Sequence, residues 1–193
     1  MLNRLYWSLR AVLLGLRRPK TIARISPLFD SGFYASQYPD IAALGNPVAH
    51  YVLAGAAEGR NPNALFDTRF YVAENPESAT DGMNPLEHFS ILGARAGRRP
   101  NPLFDPAYYA EKNPEAAALG MNPLEHYLKQ GAREGRKPHP LFDTAYYLRQ
   151  YPDVASCGQN PLAHYLKQGM AEGRKPNALF DPNYYAQQAT RMA

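Results

Sequence analysis

Apolar residues recur along this chain with a long period. Each turn of the pattern opens on Phe-Asp, continues through two adjacent aromatics, and ends in an Asn-Pro start followed by apolar residues at i, i+3 and i+4. Aligned on Phe-Asp, the pattern falls at Phe29, Phe66, Phe104, Phe142 and Phe180, spaced 37, 38, 38 and 38 residues apart. Four full repeats and the opening of a fifth result. A fixed period of roughly 20–50 residues marks a stack of supersecondary units, each packed on the next.

The third repeat predicts three short helices. Asp105 before Pro106 suits an N-cap followed by proline at the first helical position, where its missing N–H costs nothing. This helix carries Tyr108 and Tyr109 and must stop near Asn113, since Pro114 pushes the residue before it out of the α region. Pro114 opens a second helix through PEAAAL, with Gly120 supplying a left-handed position past its end. Asn122, Pro123 and Glu125 then read as cap, first helical residue and capping box, and Leu124, Tyr127 and Leu128 form the apolar face of a third helix that Gly131 ends. The same box recurs as Asn84, Pro85 and Glu87, but Ala49 and Ala163 stand at that place in repeats one and four.

Helices of about seven or eight residues fall short of the ~12–15 at which an isolated helix becomes marginal in water. The expectation is therefore that Phe104, Tyr108, Tyr109, Leu124 and Tyr127 bury against their equivalents in adjacent units. The fold class is all-α: an elongated helical repeat solenoid of about four 38-residue units, three short helices each, plus an N-terminal amphipathic helix. Residues 1–24 form the N-terminal helix and 25–193 the array, divided as 27–63, 64–100, 101–139, 140–176 and a partial unit at 177–193. The last unit reads as a truncated capping repeat or as an interrupted copy.

Composition adds little to this picture except at the N-terminus. At 45% hydrophobic and 12% aromatic the chain is no candidate for disorder, and one cysteine, Cys157, excludes a disulfide framework or thiol-rich zinc site. No apolar run approaches ~20 residues, so no membrane-spanning helix is expected. Charge is uneven. Residues 1–24 hold Arg4, Arg10, Arg17, Arg18, Lys20 and Arg24 with no acid, whereas the rest carries fifteen basic and seventeen acidic residues. On a helical projection Leu2, Leu5, Leu9, Val12, Leu13 and Leu16 share one face, giving a basic amphipathic helix that ends near Pro19. Arg10 interrupts the apolar stretch and no small-x-small site follows, which argues against a secretory signal.

Three readings of that helix stand side by side. It caps the array by packing on Phe29, Phe33 and Tyr34; it lies on an anionic membrane surface, with Arg4, Trp7, Arg10, Arg17, Arg18 and Lys20 at the headgroups; or it enters a partner's groove.

Candidate chemistry is repetitive. His50, His88, His126 and His164 occupy one position of the third helix, as do Asp30, Asp67, Asp105, Asp143 and Asp181 at the cap of the first. One histidine per repeat with no cysteine beside it predicts a structural hydrogen-bonding role, with a pH-responsive or ligand-contacting ladder as the alternative, and no metal. Arg60, Arg98, Arg136 and Arg174 recur at a Gly-Arg corner, where they either pair with the repeat's Asp or helix-end carbonyls, or bind a carboxylate or sugar acid. The aromatic pairs, Phe33-Tyr34 through Tyr184-Tyr185, read as core, with a sugar-stacking strip as the rival because adjacent helix positions diverge by about 100°. GAREGRK lacks the Lys-Ser/Thr ending of a phosphate loop, no catalytic motif is present, and no cofactor or enzymatic activity is expected. The slightly acidic array also disfavours nucleic acid.

The motif PLFDxxYYxxxxPxxxxxGxNPLxHYLxxGxxEGRxP, at Pro102–Pro138 and Pro140–Pro176, resembles tandem repeats of bacterial polysaccharide-biosynthesis proteins. In that family the repeats commonly precede a glycosyltransferase or rhamnan-synthesis-type domain, often after a basic Leu/Arg/Trp-rich segment like residues 1–24. No transferase domain falls in this sequence, so no catalytic residue carries over. The resemblance implies a cytoplasmic accessory region, peripheral to the inner membrane, with glycan-assembly enzymes as protein partners. Two alternatives accompany this scaffold: a carbohydrate-binding array using the aromatic pairs and the repeated arginines, and a non-catalytic regulatory region of a longer glycosyltransferase.

Overall fold

The structure, a computed structural model, describes residues 19–42, 45–80 and 82–182. The expected amphipathic helix, with Arg4, Trp7, Arg10, Arg17 and Arg18, lies outside the described residues, as does the fifth aromatic pair, Tyr184-Tyr185. The described residues are helical with no strand, in an all-α repeat arrangement. Two compact units hold two repeats each, one extending to Pro102 and the other beginning at Leu103.

Every repeat uses the same local rules. The first helices are Ser31–Gln37, Thr68–Glu74, Pro106–Lys112 and Thr144–Gln150. Each starts because an aspartate carboxylate accepts the backbone N–H three residues on: Asp30 from Phe33, Asp67 from Phe70, Asp105 from Tyr108 and Asp143 from Tyr146, at 2.8–3.0 Å. Each stops at a residue preceding a proline, Tyr38, Asn75, Asn113 or Tyr151, whose φ lies between −126° and −137°. The second helices, Pro39–Ala42, Glu77–Thr80, Pro114–Ala118 and Pro152–Ser156, are single turns shorter than expected. Gly120 follows its helix at φ +67°, the left-handed conformation that a side chain disfavours.

The third helix departs from expectation in two ways. Asn46, Asn84, Asn122 and Asn160 cap it through their side chains, but the capping box does not close. Glu125 turns instead to Lys129, at 2.6 Å, and Glu87 to Arg24, at 2.8 Å. An ammonium or guanidinium within reach is a stronger partner for a carboxylate than one neutral N–H. After a single α-turn, Pro123–His126 in repeat three, the backbone widens into a π-helical turn, Tyr127–Gly131. The Ala132 N–H donates to Tyr127 O, five residues back, at 3.0 Å. Gly131 does not end the helix as a left-handed cap, since Ala132 after it is still right-handed; the left-handed glycine of the corner is Gly135, at φ +74°.

The aromatic core also differs from expectation, because among the described residues its ring contacts join residues of the same repeat. Phe104 lies 5.5 Å from Tyr109 and 5.6 Å from Tyr127, and the Tyr109 and Tyr127 rings meet edge-on at 5.7 Å. Phe29, Tyr34 and Tyr51 form the same triangle, as do Phe66, Tyr71 and Phe89, and Phe142, Tyr147 and Tyr165. The single-turn second helix folds the first helix back onto the third, so one repeat's rings reach each other before a neighbour's. Each repeat then closes on itself: the N–H of Asp30, Asp67, Asp105 and Asp143 donates to the carbonyl of Pro62, Pro100, Pro138 and Pro176, at 2.9–3.0 Å.

Joining one repeat to the next falls to a polar clip. Asn63, at the end of repeat one, accepts the N–H groups of Leu65 and Phe66 in repeat two at 2.8 Å, while its amide donates to Leu28 O at the start of repeat one at 2.7 Å. Asn101 donates likewise to Leu65 O and Asn177 to Leu141 O, both at 2.7 Å. In the second unit the Tyr127 hydroxyl and Thr144 Oγ1 add a link at 3.0 Å. Asn63 is 2% exposed. Asn63→Ala removes three bonds there and orphans buried backbone groups, so it should cost about 2–3 kcal/mol in chemical denaturation. The half-buried counterpart, Asn177→Ala, should cost less, about 1 kcal/mol. Equal losses at the two positions would remove the clip from the account.

Candidate functional site

The recurrent histidines sit in a buried node that is repeated four times. Tyr34 and His50 Nδ1 share a hydrogen bond of 2.9 Å, Tyr71 and His88 one of 2.8 Å, Tyr109 and His126 one of 2.8 Å, and Tyr147 and His164 one of 2.9 Å. The tyrosine is the second of each aromatic pair and is fully buried, while its neighbour Phe33, Phe70, Tyr108 or Tyr146 is half-buried. Burial pushes all four phenols well above their ordinary range, so they stay protonated. Above each hydroxyl lies the last glycine of the π-turn, Gly55, Gly93, Gly131 or Gly169, and a Cβ there would overlap the tyrosine oxygen. These glycines are required by close approach, with no positive φ involved.

The four corner arginines form a second node, and each is engaged by acids. Arg60 makes two bonds to Asp40, at 3.0 and 2.9 Å, and Arg174 two to Asp153, at 3.0 and 2.8 Å. Arg98 pairs with Glu77, and Arg136 with Glu115 at 2.9 Å. Three of them also hold the corner's own glutamate: Glu58, Glu134 and Glu172. The main partner is thus the acid opening the second helix, where the sequence suggested the cap aspartate or a carbonyl.

The repeats fall into two kinds at this node. Tyr-Pro-Asp in repeats one and four puts the guanidinium 4.8 Å above the Tyr38 or Tyr151 ring, and that tyrosine's hydroxyl accepts the N–H of Asn61 or Lys175. Asn-Pro-Glu in repeats two and three has no ring. Asn75 instead donates to Tyr71 O and accepts from Arg98, and Asn113 donates to Tyr109 O. The Arg60 and Arg174 hydrogen bonds hold the Asp40 and Asp153 carboxyls below the usual carboxylate range.

At the N-terminal side, Pro19 opens a helix, Pro19–Ile25, where the sequence placed the end of one. Ile25 and Thr21 are buried and Lys20 is exposed. This helix packs on the third helix of repeat two, where Arg24 meets the buried Glu87 and the Ser90 hydroxyl donates to Arg24 O at 2.9 Å. Repeat two carries Ser90 where the others have Val52, Leu128 and Leu166; that divergence is the signal that could have located the contact.

Among the described residues no three His, Cys, Asp or Glu side chains gather as a metal site, and no helix is long and apolar enough to cross a membrane. Asp181 is ion-paired with Lys175 at 2.8 Å. Cys157 is exposed. One cleft, of about 530 Å³, opens in the second unit between repeats three and four. No protein-family model, curated protein or solved structure matches the chain.

Gly131→Ala should cost about 2–4 kcal/mol by forcing Tyr109 off His126, and Tyr109→Phe in the same chain should recover part of that loss. A Gly131→Ala chain as stable as wild type would show that the hydroxyl does not need the bare backbone. Burial depresses the pKa of His50 and His164, with Arg174 adding to the effect on His164. The unfolded chain therefore binds protons first, so stability is complete above the ordinary histidine value of about 6.5 and is lost as pH falls below it, by up to ~1.4 kcal/mol per pH unit for each histidine. Urea midpoints at pH 7.5 and 5.5, a window in which the carboxylates stay ionised, should differ accordingly; identical midpoints would contradict the assignment.

Proposed function

We propose that this chain is a non-catalytic interaction and scaffolding array accessory to bacterial surface-polysaccharide assembly at the cytoplasmic face of the membrane. The observation that carries the reading is a division of labour between constant and variable positions. The groups with chemistry to offer are engaged with one another in every repeat: histidine with tyrosine, and corner arginine with carboxylates. Exposed positions on the third helices change freely. Leu53 and Leu92 are 37% and 53% exposed in the first unit, where the same faces of the second unit carry Lys129, Lys167 and Gln168. A fixed frame with an altered surface suits partner recognition better than catalysis. The glycan-assembly context comes from the resemblance of the repeat motif, and the membrane context from the basic residues 1–24.

A carbohydrate-binding array is the second reading, favoured by the half-buried Phe33, Phe70, Tyr108 and Tyr146 and weakened by the engagement of all four arginines. A non-catalytic regulatory region of a longer glycosyltransferase is the third.

Cross-linking in the source bacterium should recover glycan-assembly enzymes with the scaffold; recovery of soluble enzymes of unrelated pathways alone would overturn it. Isothermal titration with the host polysaccharide separates the second reading, since saturable heat lost on Tyr108→Ala and Tyr146→Ala would favour sugar binding. For the membrane part, the full chain should sediment with phosphatidylglycerol vesicles severalfold more than a chain lacking residues 1–18. Equal partitioning of the two would defeat it.

A further inference from the structure

We propose that the cleft between repeats three and four binds a small amphiphilic anion: an aliphatic or aromatic body bearing one carboxylate, sulfonate or phosphate group. Its volume of about 530 Å³ falls within the roughly 300–1,000 Å³ of small-molecule sites, which pair apolar walls with a few polar groups. The walls here are Leu128 from the third helix of repeat three, and Leu148 and Pro161 from repeat four. The charge at the border is Arg133.

Arg133 differs from the corner arginines. It is exposed, donates to the carbonyl of Lys129, and makes no ion pair among the described residues. Asn160 supplies a second donor. Its Oδ1 is used by the N–H groups of Leu162 and Ala163, at 3.1 and 3.2 Å, whereas its Nδ2 has no partner among the described residues. Arginine and asparagine together therefore present N–H groups beside an apolar wall, and Gln159 adds an amide. Charge-assisted bonds from guanidinium to carboxylate or phosphate are among the strongest such a surface can make. An ammonium ligand would meet only a like charge.

The first unit supplies an internal comparison. At the corresponding repeat positions it has Val52 for Leu128, Val72 for Leu148, Met83 for Gln159 and Ala57 for Arg133, so the same frame lacks the cation. The inference goes beyond the scaffold reading and stands on different observations, so either can fail alone.

The test uses the full chain, with anilinonaphthalene sulfonate and decanoate as soluble probes, decylamine as the cationic control, and phosphatidylglycerol vesicles as a separate arm. Both soluble anions should saturate at one site and shift the amide resonances of Leu128, Leu148 and Gly158–Asn160, while decylamine should not. Arg133→Glu should weaken them at least about tenfold, and Arg95→Glu, at the same position of repeat two, should not. Thermal midpoints equal to wild type show that the exposed substitutions leave the fold intact, and the wild-type shift map tests the site without them. Undiminished affinity in Arg133→Glu, or shifts mapping to another surface, would overturn the proposal. Vesicle binding without binding of either soluble anion would also overturn it, in favour of a lipid surface.

Discussion

A tyrosine hydroxyl bonded to an imidazole beneath a bare glycine is the constraint on which each repeat depends. Burying a phenol and an imidazole in an aromatic core is costly unless each satisfies the other, and the pair does so at 2.8–2.9 Å in all four repeats. The bond ties the first helix to the third, the two elements that the single-turn second helix cannot hold together alone. It also accounts for three otherwise separate regularities: tyrosine at 34, 71, 109 and 147, histidine at 50, 88, 126 and 164, and glycine at 55, 93, 131 and 169. The π-turn belongs to the same arrangement, since the backbone widens where the hydroxyl enters. Among the described residues the first member of each aromatic pair carries no such bond, and it is Phe in repeats one and two and Tyr in repeats three and four.

Around this fixed centre the arginine node shows how a repeat tolerates change. Where a tyrosine ring lies under the guanidinium, the acid is the shorter Asp40 or Asp153; where the ring is replaced by asparagine, it is the longer Glu77 or Glu115. The two exchanges occur together within one chain. In the tyrosine form the arginine side chain is about half as exposed, 20–21% against 36–40%. The pairs at this surface add little stability individually, and their consequence is positional: they hold the corner against the second helix.

Much of the fold was legible because its signals are local. Asp105 before Pro106, Asn113 before Pro114 and Asn122 before Pro123 act over two or three residues, so helix number, order and starts follow from the chain alone. What could not be read depends on approach through space. Gly131 looked like a terminator because its requirement comes from Tyr109, twenty-two residues away. Asn63 gives no local signal because its bond reaches back thirty-five residues to Leu28, and the divergence at Ser90 does not reveal its partner because Arg24 is sixty-six residues distant. Phe104 was expected to look outward to a neighbour for the same reason: periodicity shows that units repeat, not whether their rings face inward or across the seam. Of the candidate site, the engagement of the arginines was partly foreseen, and their partners were not.

The closure of each repeat by an aspartate N–H on a proline carbonyl bears on how such a chain changes length in evolution. Because that ring is completed inside the unit, and the asparagine clip at the seam needs only a leucine carbonyl from whatever precedes it, duplication or deletion of whole units leaves every remaining bond of this kind with a partner. Length can therefore change by whole periods at no cost in these bonds, whereas a change of any other size would separate an aspartate from its carbonyl.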